Sequence, residues 1–357
     1  MSLPSPLLNR RAAIEGAGLD AGVAAHYGEP LPEQRRLAAG EAVADLSHRG
    51  VVTITGPDRL SWLNTLSSQQ LLGLAPGGSG EALFLTVQGR IEHVCHVVDD
   101  GETAWLLVEG FEAAPLAAFL ASMRFMLRVE VADVSADWAV VGSSVELPGF
   151  ADRTVWRDPW PGVNEGGYAY SVGDHPAADR TWLEYLVPAA ELESAVDGLR
   201  LSGTMAVEAL RIAAWRPRMG AETDEKTIPH ELDLMRTAVH MSKGCYKGQE
   251  TVARVHNLGH PPRRLVFLHL DGSQHTLPAP GSEVRLKEKS VGRVTSAALH
   301  YEAGPIALAV VKRNVDPAAT LTVVDGDEGY AAAQETIVAT DAGQVVGRQQ
   351  GFLRGPR

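Results

Sequence analysis

Residues 243 to 250 read Lys-Gly-Cys-Tyr-Lys-Gly-Gln-Glu and set Cys245, one of 2 cysteines in a chain of 357 residues, between Lys243 and Lys247 and between Gly244 and Gly248. A thiol attacks, binds metal or is oxidised through its thiolate, and nearby ammonium groups favour the thiolate, so the two lysines are the surroundings expected of a reactive cysteine. The glycines allow backbone angles that other residues resist and predict a shaped loop rather than a helix interior. Gln249 and Glu250 can fix such a loop through its backbone, while Tyr246 offers a flat apolar wall with a polar tip. The competing reading makes Cys245 a small apolar filler. Fillers seldom sit in so polar a run, which favours the reactive loop. Cys95, in the apolar run Val94-Cys-His-Val-Val98, is expected to react slowly.

Other chemistries find less support. No Gly-x-x-x-x-Gly-Lys phosphate loop occurs, and no Gly-x-Gly-x-x-Gly follows a strand-like run. Ser47-His48 is only superficially a triad fragment, because adjacent residues seldom present both side chains to one substrate. His256 and His260 have i, i+4 spacing, but Gly259 and Pro261-Pro262 argue against a helix there, and Cys245 with these histidines matches no paired-ligand zinc pattern, so no metal site is expected. A formal charge of −12 argues against binding nucleic-acid backbones. Two local clusters, Arg211, Arg216 and Arg218, and Arg254, Arg263 and Arg264, read either as a basic patch or as a solvated face. The cysteines lack Cys-x-x-Cys spacing, no apolar run approaches the roughly 18 residues that span a bilayer, and the first residues lack the apolar core of a signal peptide, so a soluble cytoplasmic chain without membrane contact is expected.

The octapeptide, followed by Thr251-Val-Ala-Arg254, Gly259 and Arg263-Arg-Leu265, resembles the signature of the YgfZ proteins, folate-binding relatives of the glycine-cleavage T-protein that assist iron-sulfur cluster assembly or repair. Weaker likenesses extend over most of the chain: Asp45-Leu-Ser-His-Arg-Gly50, Val52-Thr-Ile-Thr-Gly-Pro-Asp58, Val291-Gly-Arg-Val-Thr-Ser296 and Gly304-Pro-Ile-Ala-Leu308.

The elements that must position these residues follow from periodicity. Val51-Val-Thr-Ile-Thr alternates as a strand. Leu60, Leu63 and Leu66 predict a helix over 58–66, with strand-like stretches at 82–87, 91–98 and 104–109. Leu116, Phe119, Leu120 and Met123 predict a second helix, and Leu127, Val129 and Val131 a half-buried strand after it. Helices are expected at 189–199 and around Val207, Leu210 and Ala214. Residues 1–40 lack a sustained period and read as a mobile terminus or a wrap over the body. From about 261 onward, short alternating runs divided by turn residues predict a small all-β barrel or sandwich.

The resemblance implies an α+β, three-domain cloverleaf around a central folate channel: residues 1–55 with 136–258 as a discontinuous first domain, 56–135 as the second, and 259–357 as a C-terminal β-barrel domain. It also implies tetrahydrofolate or a folate-like ligand, with Arg254 placed to hold the glutamate tail. An i, i+4 ion pair between Glu250 and Arg254 is the simpler alternative. Two departures bear on this. His93, beside Glu92, stands where a T-protein has the aspartate that positions the folate nitrogen, and a strand would turn Glu92 and His93 to opposite faces. Ala213 replaces a carboxylate that could accept hydrogen bonds from a pterin. The expected role is a YgfZ-type factor for iron-sulfur proteins using Cys245, its partners a folate-like molecule and iron-sulfur client or assembly proteins. The rivals are a folate-dependent aminomethyltransferase or demethylase and a non-catalytic ligand-sensing module.

Overall fold

The computed structural model describes residues 4–344. Among them, two five-stranded sheets and a closed six-stranded barrel carry the fold. The first sheet runs Val155–Arg157, Leu183–Pro188, Trp138–Ser143, Val43–Asp45 and Leu201–Ser202, so it draws on chain before and after the second sheet. The second runs Gly78–Leu85, Ile91–Asp99, Thr103–Val108, Gly50–Thr55 and Glu130–Asp133, antiparallel throughout. Because Gly50–Thr55 is bonded into it, this sheet begins ahead of the boundary expected at 56.

The second sheet is covered on both faces, and strand alternation divides its residues between them. Val52, Ile54, Phe84, Cys95, Val97 and Leu106 pack under the helices Arg59–Leu66 and Ala113–Ser122, against Leu63, Leu116 and Leu120. Val51, Val98 and Leu107 point the other way and meet Trp156, Trp182 and Leu186 of the first sheet. Cys95 is thereby fully buried, and burial pushes its thiol well above the usual range.

Two elements differ from expectation. Only Glu130–Asp133 forms the strand expected from Leu127, because its partner ends where Thr55 meets Glu130 and Gly56 turns away at φ +107°. The helix expected over 189–199 is a 3-10 turn, Ala189–Glu191, and one α turn, Leu192–Ala195, cut short before Gly198 at φ +77°.

In the barrel, Arg263–Leu270 pairs with both Gly304–Lys312 and Glu328–Thr336, which closes the ring and leaves no open sheet edge there. Val266, Leu268, Ala307, Ala309, Val323 and Tyr330 fill its interior. Their neighbours Leu265, Phe267, Leu308 and Val310 face outward into the core shared with Ala209 and Ile212 of the helix Thr204–Ala213. The N-terminal stretch wraps rather than dangles: the helix Pro30–Ala38 packs on Thr204–Ala213, and buried Glu33 accepts from the backbone of Tyr27, Glu29 and Gly203. Among the described residues no helix is long and apolar enough to cross a membrane.

Candidate functional site

The octapeptide forms a loop that runs into the helix Gln249–Leu258, and its glycines have unequal tasks. Gly248 sits at φ +86°, where a Cβ would lie 2.4 Å from the carbonyl oxygen of Thr86. Gly244 has open space around it. Gly248→Ala is therefore expected to cost about 1–3 kcal/mol, read as a lower urea midpoint, whereas Gly244→Ala is expected to change it little.

Cys245 is exposed at the loop's crest. Neither lysine is aimed at its sulfur, which corrects the expectation that both serve the thiol. Lys243 is buried, and its ammonium donates to the carbonyl oxygens of Asn64, Ser67 (2.6 Å) and Gln69 (2.8 Å) at the C-terminal end of the helix Arg59–Leu66. Three donors meet three acceptors where the helix dipole is negative. Burial lowers the Lys243 pKa to about 8, so the group stays charged at neutral pH. Its charge also lies 5.2 Å from the centre of the Tyr246 ring, which is buried rather than offered to a ligand. Lys247 pairs with Glu92 at 2.9 Å on the surface and stands 5.7 Å from the Phe119 ring. Gln249 donates to the Lys243 carbonyl at 3.3 Å and so ties the loop to its helix, as expected. The lysines and Gln249 thus hold the thiol out on a braced loop.

Glu92 and His93 diverge as strand geometry requires. Glu92 reaches Lys247, while His93 turns inward to Glu112 at 3.2 Å. Glu250 and Arg254 lie on one helix but form no ion pair with each other, and both are exposed. Arg254, Glu92 and His93 line neither of the two cavities described next.

Between the two sheets, the helix Thr204–Ala213 and residues 216–219, a cavity of about 50 Å³ is walled by charges. His96 stacks on Trp156 at 3.6 Å and bonds Glu184 at 2.8 Å. Arg216 reaches Glu81 (2.7 Å) and Asp158 (3.3 Å). Arg218 meets both oxygens of Glu109 at 2.9 Å and also Asp20 and Glu208, with Arg49 on the far side of Glu109. Burial opposes ionisation of Glu109, but the Arg49 and Arg218 guanidinium groups outweigh it and hold its pKa at about 2. Burial is likewise overcome at Glu184, chiefly by His96, with the same result of about 2. Arg211, Arg216 and Arg218 are thus buried and neutralised, so the basic patch considered from sequence is absent. Arg263 is likewise held by Asp224 and Glu231, and Arg264 is sealed in the barrel.

Beyond Arg218 lies a roomier groove of about 640 Å³ between Gly16–Asp20, the start of the helix Thr204–Ala213 and the barrel strand Lys289–His300. Arg218 borders both spaces and separates them. Pockets for drug-sized ligands run to roughly 300–1,000 Å³, a range that the outer groove meets and the inner cavity does not. Its carboxylates, which could take a pterin's donors, are already spent on arginine and histidine. Ala213 lines a separate surface pocket beside Arg180 and Trp182. Sequence reasoning missed Glu81, His96, Asp158 and Glu184. The available signal was charge inside apolar strand runs, as in Glu81-Ala-Leu-Phe-Leu85.

The glycine cleavage system aminomethyltransferase T of Bartonella henselae matches over 93% of this chain and 94% of its own, with a TM-score of 0.72 at 17% identity, so the class of fold is that of the glycine-cleavage T-protein. No family model matches the chain. In sequence it is similar to a mitochondrial iron-sulfur cluster assembly factor IBA57 homolog of Mycosarcoma maydis, 25% identical over 350 residues, 84% of this chain and 81% of that one. It is also similar to a putative chloroplastic transferase of Arabidopsis thaliana, 25% identical over 272 residues, where the match spans 72% of this chain and 62% of the relative.

Proposed function

We propose that this chain is a YgfZ-type factor that supports assembly or repair of iron-sulfur proteins in the reducing cytoplasm, with Cys245 as the working group. The observation that carries the reading is the contrast between its cysteines: Cys95 is sealed in the core, while Cys245 is exposed on a loop braced by a buried lysine and turned at a left-handed glycine. A thiolate is the soft ligand that iron and its clusters take, so an accessible thiol on a fixed backbone suits transient contact with an iron-sulfur cargo or with the protein carrying it. Similarity to the IBA57 homolog supports the same direction. Expected partners are iron-sulfur client or assembly proteins. A folate-like small molecule has room in the outer groove, and no step of the role needs one.

The rival is aminomethyl transfer, which the shared fold permits. Against it, His93 faces Glu112 rather than the inner cavity, and that cavity is smaller than pockets for drug-sized ligands. The purified protein is accordingly expected to release no ammonia from an aminomethylated lipoyl carrier when tetrahydrofolate is added. Turnover comparable to that of an aminomethyltransferase would overturn the proposed role in favour of the enzyme.

A further inference from the structure

The helix Ala113–Ser122 ends in Arg124-Phe-Met-Leu-Arg128, where the most exposed large apolar side chains of the described residues stand together: Phe125 is 83% exposed and Met126 97%, with Leu127 at 40%. Single exposed apolar residues are ordinary, but three in succession at one tip are not. Phe125 also holds φ +45°, a left-handed angle that a bulky side chain resists. The tip is built rather than loose. Leu127 N–H donates to the Arg124 carbonyl, and Arg128 clasps Asp58 through its backbone N–H and two guanidinium nitrogens at 2.7–3.1 Å. A strained, braced turn that displays phenylalanine and methionine to water suits contact with something apolar.

Two features say what that is. The chain carries a net charge of −12, yet at the tip, where Arg128 is spent on Asp58 and Glu130 lies nearby, Arg124 is exposed and has no ion pair among the described residues. Beside Cys245, Lys247 is spent on Glu92 and Glu250 is exposed. Gly89 of the hairpin Thr86–Arg90 packs against Gly248 and Thr251, and the exposed Arg90 and Arg254 of these elements are also without ion pairs among the described residues. The tip and the cysteine loop lie at opposite ends of one short helix: Asp58, at the start of Arg59–Leu66, holds Arg128, and the carbonyls at its end hold Lys243. Eight residues of helix span about 12 Å, well within one protein interface.

We infer that this flank, from the Phe125–Met126 tip to Cys245, docks a protein whose apolar cleft is rimmed by carboxylates. Phe125 and Met126 enter the cleft and the unpaired arginines meet the rim. The inference rests on the proposed iron-sulfur role and supplies its docking face. An aromatic anchor with an adaptable methionine beside it suits a central contact, while the arginines select an acidic partner over neutral surfaces.

The test compares Phe125→Ser with Met126→Ser as a double variant, Arg124→Glu and Cys245→Ala in cells lacking the endogenous copy, reading the activity of an iron-sulfur enzyme after oxidative challenge. All three are expected to reduce the rescued activity, the tip variants by about tenfold. The purified tip variants should keep the parent's melting temperature and its rate of Cys245 alkylation. Full rescue by the tip variants with loss in Cys245→Ala overturns the docking face and leaves the function standing. Loss in the tip variants with full rescue by Cys245→Ala overturns the cysteine's role and leaves the face standing. Rescue by all three overturns both. Phe125-dependent sedimentation of the parent with phosphatidylcholine–phosphatidylserine vesicles, or Phe125-dependent dimerisation on a sizing column, overturns the acidic-protein occupant.

Discussion

Arg218→Ala is expected to destabilise the protein by about 3–5 kcal/mol, the cost of leaving a buried carboxylate without its partner. Arg218 is the second of two cations on Glu109, which is 2% exposed, and it also neutralises Asp20 and Glu208. Burial alone would push the Glu109 carboxyl up, and Arg49 and Arg218, with a smaller part from His48, bring it down from 4.5 to about 2. A carboxylate with its folded pKa below its unfolded one contributes stability that is present above about 4.5 and is lost as pH falls toward 2. The parent's urea midpoint should therefore fall over that window. In Arg218→Ala the midpoint should be lower at neutral pH and should depend less on pH between 4.5 and 2, because Glu109 takes up less of the coupled proton. An unchanged neutral midpoint would show that the network is water-filled and loose. The septum between the inner cavity and the outer groove would then be mobile, and the small size of the inner cavity would lose its physical basis.

The second large effect belongs to Lys243. Replacing it by Met keeps much of the buried stem but leaves the carbonyls of Asn64, Ser67 and Gln69 without their donor, at a cost on the order of 3 kcal/mol. Lys247→Gln removes a surface pair with Glu92 and is expected to cost well under 1 kcal/mol. The two variants separate bracing from thiol activation. If Lys243 is a brace, Lys243→Met lowers the thermal midpoint by several degrees and leaves a native-state alkylation profile whose pH dependence matches the parent's. A profile shifted to higher pH in a variant of unchanged stability would return Lys243 to the role read from sequence.

Why that role was legible only in part follows from where the contacts lie. Neighbouring sequence showed a cysteine between lysines and glycines, and the loop and the tie from Gln249 are local enough to read there, whereas the Thr86 carbonyl that sets Gly248 apart from Gly244 is not. The acceptors of Lys243 lie 174 to 179 residues away, so its charge was assigned to the nearest reactive group. The arginines at 216 and 218 looked like part of a patch for the same reason: Glu81, Glu109 and Asp20, which neutralise them, come from distant segments, whereas Arg211 is held by the nearer Glu208 and Glu222. Period-two and helical patterns carried the barrel and the helices at 59–66 and 113–122, because those patterns record which face meets a core. The alternation of Leu127, Val129 and Val131 misled for a physical reason. A strand needs a partner backbone as well as a pattern, and the partner turns off at Gly56. The exposed tip before Glu130 was hidden by that reading. The separation of Glu92 from His93, by contrast, needed only the period of a strand.

The claim at the centre of the account is that an exposed, braced thiol serves iron-sulfur proteins. It is tested most directly by Cys245→Ala in cells lacking the endogenous copy, with an iron-sulfur enzyme assayed under oxidative stress and the purified variant's urea midpoint measured alongside. A side chain on an exposed crest removes little buried area, so the midpoint should move by less than about 0.5 kcal/mol while the rescued enzyme activity falls to that of the empty strain. Full rescue by a normally folded Cys245→Ala would contradict the account.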